Sequence, residues 1–146
     1  MSGTVRSLFV AEPPAQYLLH PPLVVDCSTL AGMVFSEHWR DQALQRIDGR
    51  SLHAPYLLDI EITSVALKKN RRGDPNLAVV GMQTYATMDI KLHAVKPQEV
   101  LALALRYQLS AYDASYLWLA AELKCPLATF DEKLATAAQT HLAALP

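Results

Sequence analysis

Cysteine is scarce in this 146-residue chain, with only Cys27 and Cys125, and glycine numbers five. Each thiol sits in an apolar segment, so two free thiols in a reducing compartment are expected rather than one disulfide. No GxGxxG motif and no P-loop follows a strand-like run, which excludes nucleotide folds of those kinds. There is no GxSxG nucleophile elbow. The histidines (His20, His38, His53, His93, His141) form no HxxxH pattern and the cysteines no CxxC, which disfavours zinc. No apolar run approaches the roughly 20 residues of a membrane span. The opening MSGTVRSLFVAEPP has one arginine and a short apolar stretch broken by Glu12, a poor signal peptide. A cytoplasmic protein is expected. Charge of one sign is also lacking: 13 Lys+Arg against 14 Asp+Glu leave a net charge of −1. A wholesale electrostatic binder of nucleic acid or membrane is thereby excluded, and any such partner must meet a local patch.

What the chain does have is a core. Hydrophobic residues make up 51% and charged residues 18%, enough for one folded domain of ordinary size. Residues 1–22 stand apart as an extended N-terminal arm, because four of the nine prolines fall there (Pro13, Pro14, Pro21, Pro22). Its apolar residues (Leu8, Phe9, Val10, Tyr17, Leu18, Leu19) imply that it lies on its own domain or on a partner.

Residues 23–146 read as an α/β domain. Leu23 to Cys27 is a short apolar run, expected as a buried parallel strand. Ser28 and Thr29 can cap the helix after it. Residues 37–48 read as a more polar helix ended by Gly49, and Ser51 to Ala54 as a short strand. Pro55 is expected to open a long helix through to Gly73, and Asp74-Pro75 to start another. DIKLHAV alternates as a half-buried strand. Pro97 opens a further helix, residues 113–124 form the next, and Pro126 to Thr129 is a last strand. The final helix carries Leu134, Ala138, Leu142 and Leu145 on one stripe. Short apolar strands alternating with longer helices imply a mainly parallel sheet, with pairs of helices in some crossovers.

Most of the acids belong on solvated helix faces, but four do not. Asp26 ends the first strand, where it can cap a helix or face the crevice at the carboxyl ends of the strands. Glu61 reads as mid-helix, with Leu57, Leu58, Ser64 and Val65 one turn away, so its carboxylate lies beside the apolar stripe. A buried carboxylate needs a partner, either a basic side chain or a metal ion. Asp113 can cap its helix, yet its flanks are apolar. Asp131 follows the last strand, where Thr129 is an equally good cap. Four such acids can converge on one crevice, and hard cations such as Mg²⁺ or Mn²⁺ favour all-oxygen sites.

With those residues in view, the segments LVVDCSTL, APYLLDIEITSVALKK and LSAYDASYLWLAAELKCPLATFDEKLA resemble, in order and spacing, the PIN-domain family, and most of all its VapC toxins. The resemblance spans about residues 23 to 142. The arm lies outside the usual pattern. The resemblance implies a three-layer fold, a short mainly parallel sheet flanked by helices. It implies a metal-dependent ribonuclease that hydrolyses RNA phosphodiester bonds, with one or two Mg²⁺ or Mn²⁺ ions. Asp26, Glu61, Asp113 and Asp131 match the family's acids in that order. Asp26 and Asp113 are then the main direct ligands, while Glu61 and Asp131 hold water at the metal or a second ion. A homodimer and a VapB-like antitoxin covering the groove are implied as partners.

A nuclease must also hold an anionic strand. Lys68, Lys69, Arg71 and Arg72 gather at the end of the Glu61 helix, either as cations favoured at a helix C-terminus or as a phosphate-binding rim for RNA. Tyr116 and Trp118 read as core. Trp39, between His38 and Arg40, reads as a surface residue able to stack a base or anchor a protein. His53 and His93 read as ordinary strand or loop histidines. Two other readings are weaker. A PIN domain that only binds RNA or protein predicts no cleavage. A phosphoacceptor receiver needs paired acids after the first strand and a late Lys-Pro, whereas this chain has a lone Asp26 and an early Lys96-Pro97.

Overall fold

The computed structural model describes residues 6–13, 20–35 and 38–146. Tyr17, Leu18 and Leu19 of the arm lie outside them. The described chain forms β1 (Phe9–Ala11), β2 (Pro22–Val25), α1 (Cys27–Val34), α2 (Arg40–Ile47), β3 (Ser51–Pro55) and α3 (Leu58–Arg71). It continues through α4 (Pro75–Thr87), β4 (Ile90–His93), α5 (Pro97–Tyr107), α6 (Ala111–Leu123), β5 (Leu127–Thr129) and α7 (Glu132–Ala143).

The five strands make one sheet in the order β1-β5-β2-β3-β4. The β5-β2-β3-β4 pairs are parallel, and β1 adds antiparallel to β5. The expected α/β architecture is therefore present, with helices flanking a short, mainly parallel sheet. Each parallel connection carries two helices: α1 and α2, then α3 and α4, then α5 and α6. Parallel strands need such long crossovers.

Strand order fixes where chemistry can occur. From β2 the chain moves outward to β3 and β4, then returns to place β5 on the other side of β2. The two crossovers diverge there, which leaves a crevice outside the carboxyl ends of β2 and β5. Val24 and Val25 pair with Leu127 and Ala128, so Asp26 and Thr129 follow the same register.

The core explains why the central strands carry no alternation. Leu23, Val24, Val25, Leu127 and Ala128 are fully buried, as strands covered on both faces must be. Helix α6 is buried over most of its circumference, from Ala114 through Ala120. It packs on α5, α7, β2, β3 and β5, which carries its N-terminal turn to the sheet's interior.

Several local expectations are corrected. Pro55 ends β3 instead of opening a helix, and α3 begins at Leu58. Glu61 thus sits in the first turn of α3, not mid-helix. The proline fixes φ without forcing a helix, and parallel pairing of Pro55 with His93 holds it extended. Asp113 does not cap α6; Ser110 does, accepting from the Asp113 amide at 3.1 Å. The strand expected over Leu23 to Cys27 is β2 and ends at Val25, so Asp26, not Ser28 or Thr29, is the N-cap of α1, and Cys27 opens that helix. The helix expected over 37–48 is Arg40–Ile47. The arm also contributes to the sheet: Phe9–Ala11 is its edge strand, and Leu8 and Ala11 are buried.

Candidate active site

The crevice at the switch point is built from one short polar residue after another. Asp26 is 4% exposed, yet both its oxygens are engaged. Oδ1 accepts from the Ser28 hydroxyl at 2.7 Å and the Thr29 amide at 3.0 Å. The Thr29 hydroxyl lies 3.0 Å from both Asp26 Oδ1 and the Ala128 carbonyl, and its single proton serves one at a time. Oδ2 accepts from the Thr129 hydroxyl of β5. Burial pushes the Asp26 carboxyl above the usual carboxylate range, although these hydrogen bonds pull the other way.

Thr129 and Ser28 are therefore joints of the site. Thr129 Oγ1 accepts from the Asp131 amide at 2.9 Å, while Ser28 Oγ accepts from the Phe130 amide at 3.0 Å. Together they tie the turn after β5 to the turn after β2. Asp131 caps α7, its Oδ1 accepting from the Leu134 amide at 2.9 Å. Between Thr129 and Asp131 as cap candidates, the structure selects Asp131, because Thr129 is spent on Asp26.

Glu61 and Asp113 complete the quartet. Glu61 Oε1 accepts from the buried Tyr116 hydroxyl at 2.6 Å, a bond between α3 and α6. Burial raises the Glu61 carboxyl; the Tyr116 hydroxyl opposes this, and the charges of Asp26 and Asp113 add to it. Asp113 is half-buried and pushed up to about 6, first by burial and then by the charges of Asp131 and Asp26. Lys133 and the Ser110 hydroxyl pull it back only in part. Glu61 thus feels Asp26 and Asp113, and Asp113 feels Asp131 and Asp26, which links the four acids electrostatically.

The donor set suits a hard divalent cation, because clustered oxygens that raise one another's pKa lack a compensating positive charge. Asp26 Oδ2, Glu61 Oε2, Asp131 Oδ2 and both Asp113 oxygens retain acceptor capacity. Among the described residues no three carboxylate, imidazole or thiol groups are already drawn to ligand distance.

The remaining sequence candidates divide. Lys68 falls two turns beyond Glu61 on α3 and acts electrostatically on the Cys27 thiol beside Asp26. Arg71 and Arg72 are exposed at the end of α3. Lys69 is half-buried. Trp39 does not stand free in solvent. Its Nε1 donates to the Ser28 carbonyl at 3.4 Å, and its ring packs on Phe130. His53 and His93 pair with each other, Nδ1 to Nε2 at 2.8 Å, and take no part in the quartet. Sequence reasoning passed over Tyr116, Ser28 and Thr129 as site residues. Tyr116 reads as core by pattern, and only a tyrosine hydroxyl in a largely buried helix hints at a buried acceptor.

A family model described as "PIN domain" matches residues 23–139. A VapC ribonuclease of Mycobacterium bovis is 34% identical over 122 residues, covering 82% of this chain and 93% of its own length. Ribonuclease VapC9 of Mycobacterium tuberculosis matches to the same extent, 34% over 122 residues. Ribonuclease VapC3 of Pyrobaculum aerophilum is 28% identical over 120 residues, covering 77% of this chain and 92% of its own. The crystal structure of PAE2754 from Pyrobaculum aerophilum superposes with a TM-score of 0.64 at 22% identity, over 80% of this chain and 84% of that one. The chain belongs to the PIN-domain family. Within that family its place is among the VapC ribonucleases.

Proposed function

We propose that the protein is an endoribonuclease that hydrolyses RNA phosphodiester bonds and is the toxin of a VapBC-type toxin–antitoxin pair. The observation that carries this reading is the mutual influence of the acids at the β2/β5 switch point: Asp113 is pushed up to about 6 first by burial and then by the charges of Asp131 and Asp26, and Glu61 is raised by burial with Asp26 and Asp113 adding to it. We assign the cofactor as Mg²⁺ or Mn²⁺, held by these four side chains. A bound cation would supply the positive charge that activates water and stabilises charge building on the attacked phosphate.

The chain's own residues prepare the site. Ser28, Thr29 and Thr129 hold Asp26 in one orientation, so its remaining acceptor lone pair is aimed before any ligand arrives. Tyr116 does the same for Glu61, leaving Oε2 for the crevice. Capping fixes one oxygen of Asp131. Asp113 has the Ser110 hydroxyl beside it at the start of α6. Lys68 acts on the Cys27 thiol beside Asp26, and we assign it to RNA phosphate with Lys69, Arg71 and Arg72 extending the track.

The partners follow the same reading: RNA as substrate, a VapB-like antitoxin and a second copy of the chain. Apolar surface supports protein partners. A groove of about 510 Å³ lies between α3 and α4, lined by Ala66, Leu67, Val79 and Met82 among others. Ile60, Leu101, Leu105 and Tyr112 are exposed elsewhere. Two free thiols support a cytoplasmic location. No helix among the described residues is long and apolar enough to cross a membrane.

The test is cleavage of a mixed single-stranded and structured RNA pool by antitoxin-free protein, with Mg²⁺ or Mn²⁺ and with EDTA. Cleavage should require metal and fall by at least about a hundredfold in Asp113→Asn. Full activity in that variant, or activity in EDTA, overturns the assignment. Tight RNA binding by folded, metal-loaded protein without cleavage would replace it with a PIN domain that only binds.

A further inference from the structure

The guanidinium of Arg6 lies 4.7 Å from the centre of the Trp39 ring and 5.8 Å from that of Phe130. The two rings pack on each other with centroids 5.5 Å apart. Both are pinned to Ser28: the Trp39 indole donates to its carbonyl at 3.4 Å and the Phe130 amide to its hydroxyl at 3.0 Å. Ser28 in turn donates to Asp26 at 2.7 Å. Phe130 sits between Thr129 and Asp131 in sequence. Arg6 therefore stands on an aromatic step that is hydrogen-bonded to Ser28, the residue that also holds Asp26.

The backbone that delivers Arg6 is fixed as well. β1 pairs Phe9 with Thr129, Val10 with Ala128 and Ala11 with Leu127. With the Gln42 amide oriented to satisfy both its atoms, its nitrogen donates to the Arg6 carbonyl and its oxygen accepts from the Leu8 amide, each at 3.2 Å. Yet the Arg6 side chain is exposed, and among the described residues no carboxylate is seen to pair with it. A guanidinium lying on a ring uses its flat face there and keeps its edge N–H groups for a planar anion. An acidic crevice repels RNA, so a cation held at its rim offsets that repulsion where the strand must enter.

We propose that Arg6 is a substrate-positioning residue, binding a phosphate of the RNA strand beside the scissile position. The proposal rests on the ribonuclease reading and deepens it: the N-terminal strand, which the family match leaves out, contributes a part of the substrate site.

The experiment uses the full chain. Binding of a fluorescent single-stranded RNA is followed by anisotropy against salt in the Asp113→Asn background. KM and kcat for the same RNA are measured with Asp113 intact, and melting temperatures are recorded throughout. Arg6→Ala should raise Kd and KM about tenfold, with the loss on KM and not on kcat. It should also reduce the slope of log Kd against log salt by about 0.7, the loss of one phosphate contact on a single strand. Arg6→Lys should restore the slope but only part of the affinity, because an ammonium lacks the planar fork. An unchanged Kd and slope in Arg6→Ala, with wild type still cleaving, overturns the proposal and leaves the ribonuclease reading intact. A fall in kcat and melting temperature at an unchanged slope overturns it in favour of a structural anchor. If wild type neither binds nor cleaves RNA, both readings fall together.

Discussion

Asp113 and Tyr116 lie one turn apart on α6, and the roles of the two side chains differ. Tyr116 is 1% exposed and spends its hydroxyl on Glu61. Replacing it with Phe keeps the packing and removes one hydrogen bond to a charged group, worth about 1.5–3 kcal/mol. Glu61 then loses its orientation as well as its only side-chain tether among the described residues. Tyr116→Phe should lower kcat about tenfold at similar KM, measured as initial rates on a cleaved RNA. Wild-type kcat in this variant would show that Glu61 needs no positioning. Thr129→Val should act similarly through Asp26, because Val matches its shape and leaves Oδ2 without its donor while orphaning the Asp131 amide.

At the scale of elements, close approach of helices and loops decides which residues are tolerated. A Cβ on Gly32 of α1 would collide with the indole of Trp39, and one on Gly81 of α4 with Phe35 and the Val34 carbonyl. Alanine normally stabilises a helix interior by up to about 1 kcal/mol over glycine. Here overpacking of about 1–3 kcal/mol should win. Gly32→Ala is therefore expected to lower the urea midpoint with an unchanged slope, and to disturb the Arg6 step through Trp39. A more stable Gly32→Ala would mean that Trp39 moves aside without cost. Helix α6 shows the same principle from the other side. Its burial from Ala114 through Ala120 leaves only its ends for chemistry, and the acid sits at the N-terminal one. A carboxylate there also meets the favourable end of the helix dipole.

For the whole molecule, the carboxylate cluster ties stability to pH and to metal. Asp26, Glu61 and Asp113 all have folded-state pKa values raised above their usual values, Asp113 to about 6. The folded protein therefore binds more protons than the unfolded chain between those limits. For Asp113 the contribution is fully present below about pH 4 and is lost as pH rises through about 6. Metal-free wild type should then be less stable than Asp113→Asn near about pH 7, with the difference shrinking toward about pH 5. Added Mg²⁺ or Mn²⁺ should raise the melting temperature of wild type near neutrality more than that of the variant, by binding only the folded state. Melting curves with EDTA and with metal check both. Equal stability of the two proteins at every pH would show that Asp113 is not part of a repelling cluster.

The sequence by itself determined the alternation of short apolar strands with helices, because burial on both faces leaves β2 and β5 as continuous apolar runs. It also singled out the four acids as candidates, since carboxylates flanked by apolar residues have no ordinary place on a solvated face. It misplaced the start of α3, because Pro55 fixes φ but not ψ, and pairing with β4 is what keeps it extended. It took Tyr116 for core and Ser28 and Thr129 for caps. Tyr116 is indeed core, but Asp26 and Asp131 are the caps, and the pattern misses the partner, which stands 55 residues away for Tyr116 and 103 for Thr129. Only the tertiary structure could decide that Asp26 both caps α1 and faces β5, and that Arg6 lies over the Trp39 and Phe130 rings. Backbone pattern is a local property of the chain. The company kept by a carboxylate depends on strand order, and that is settled by which strands pair.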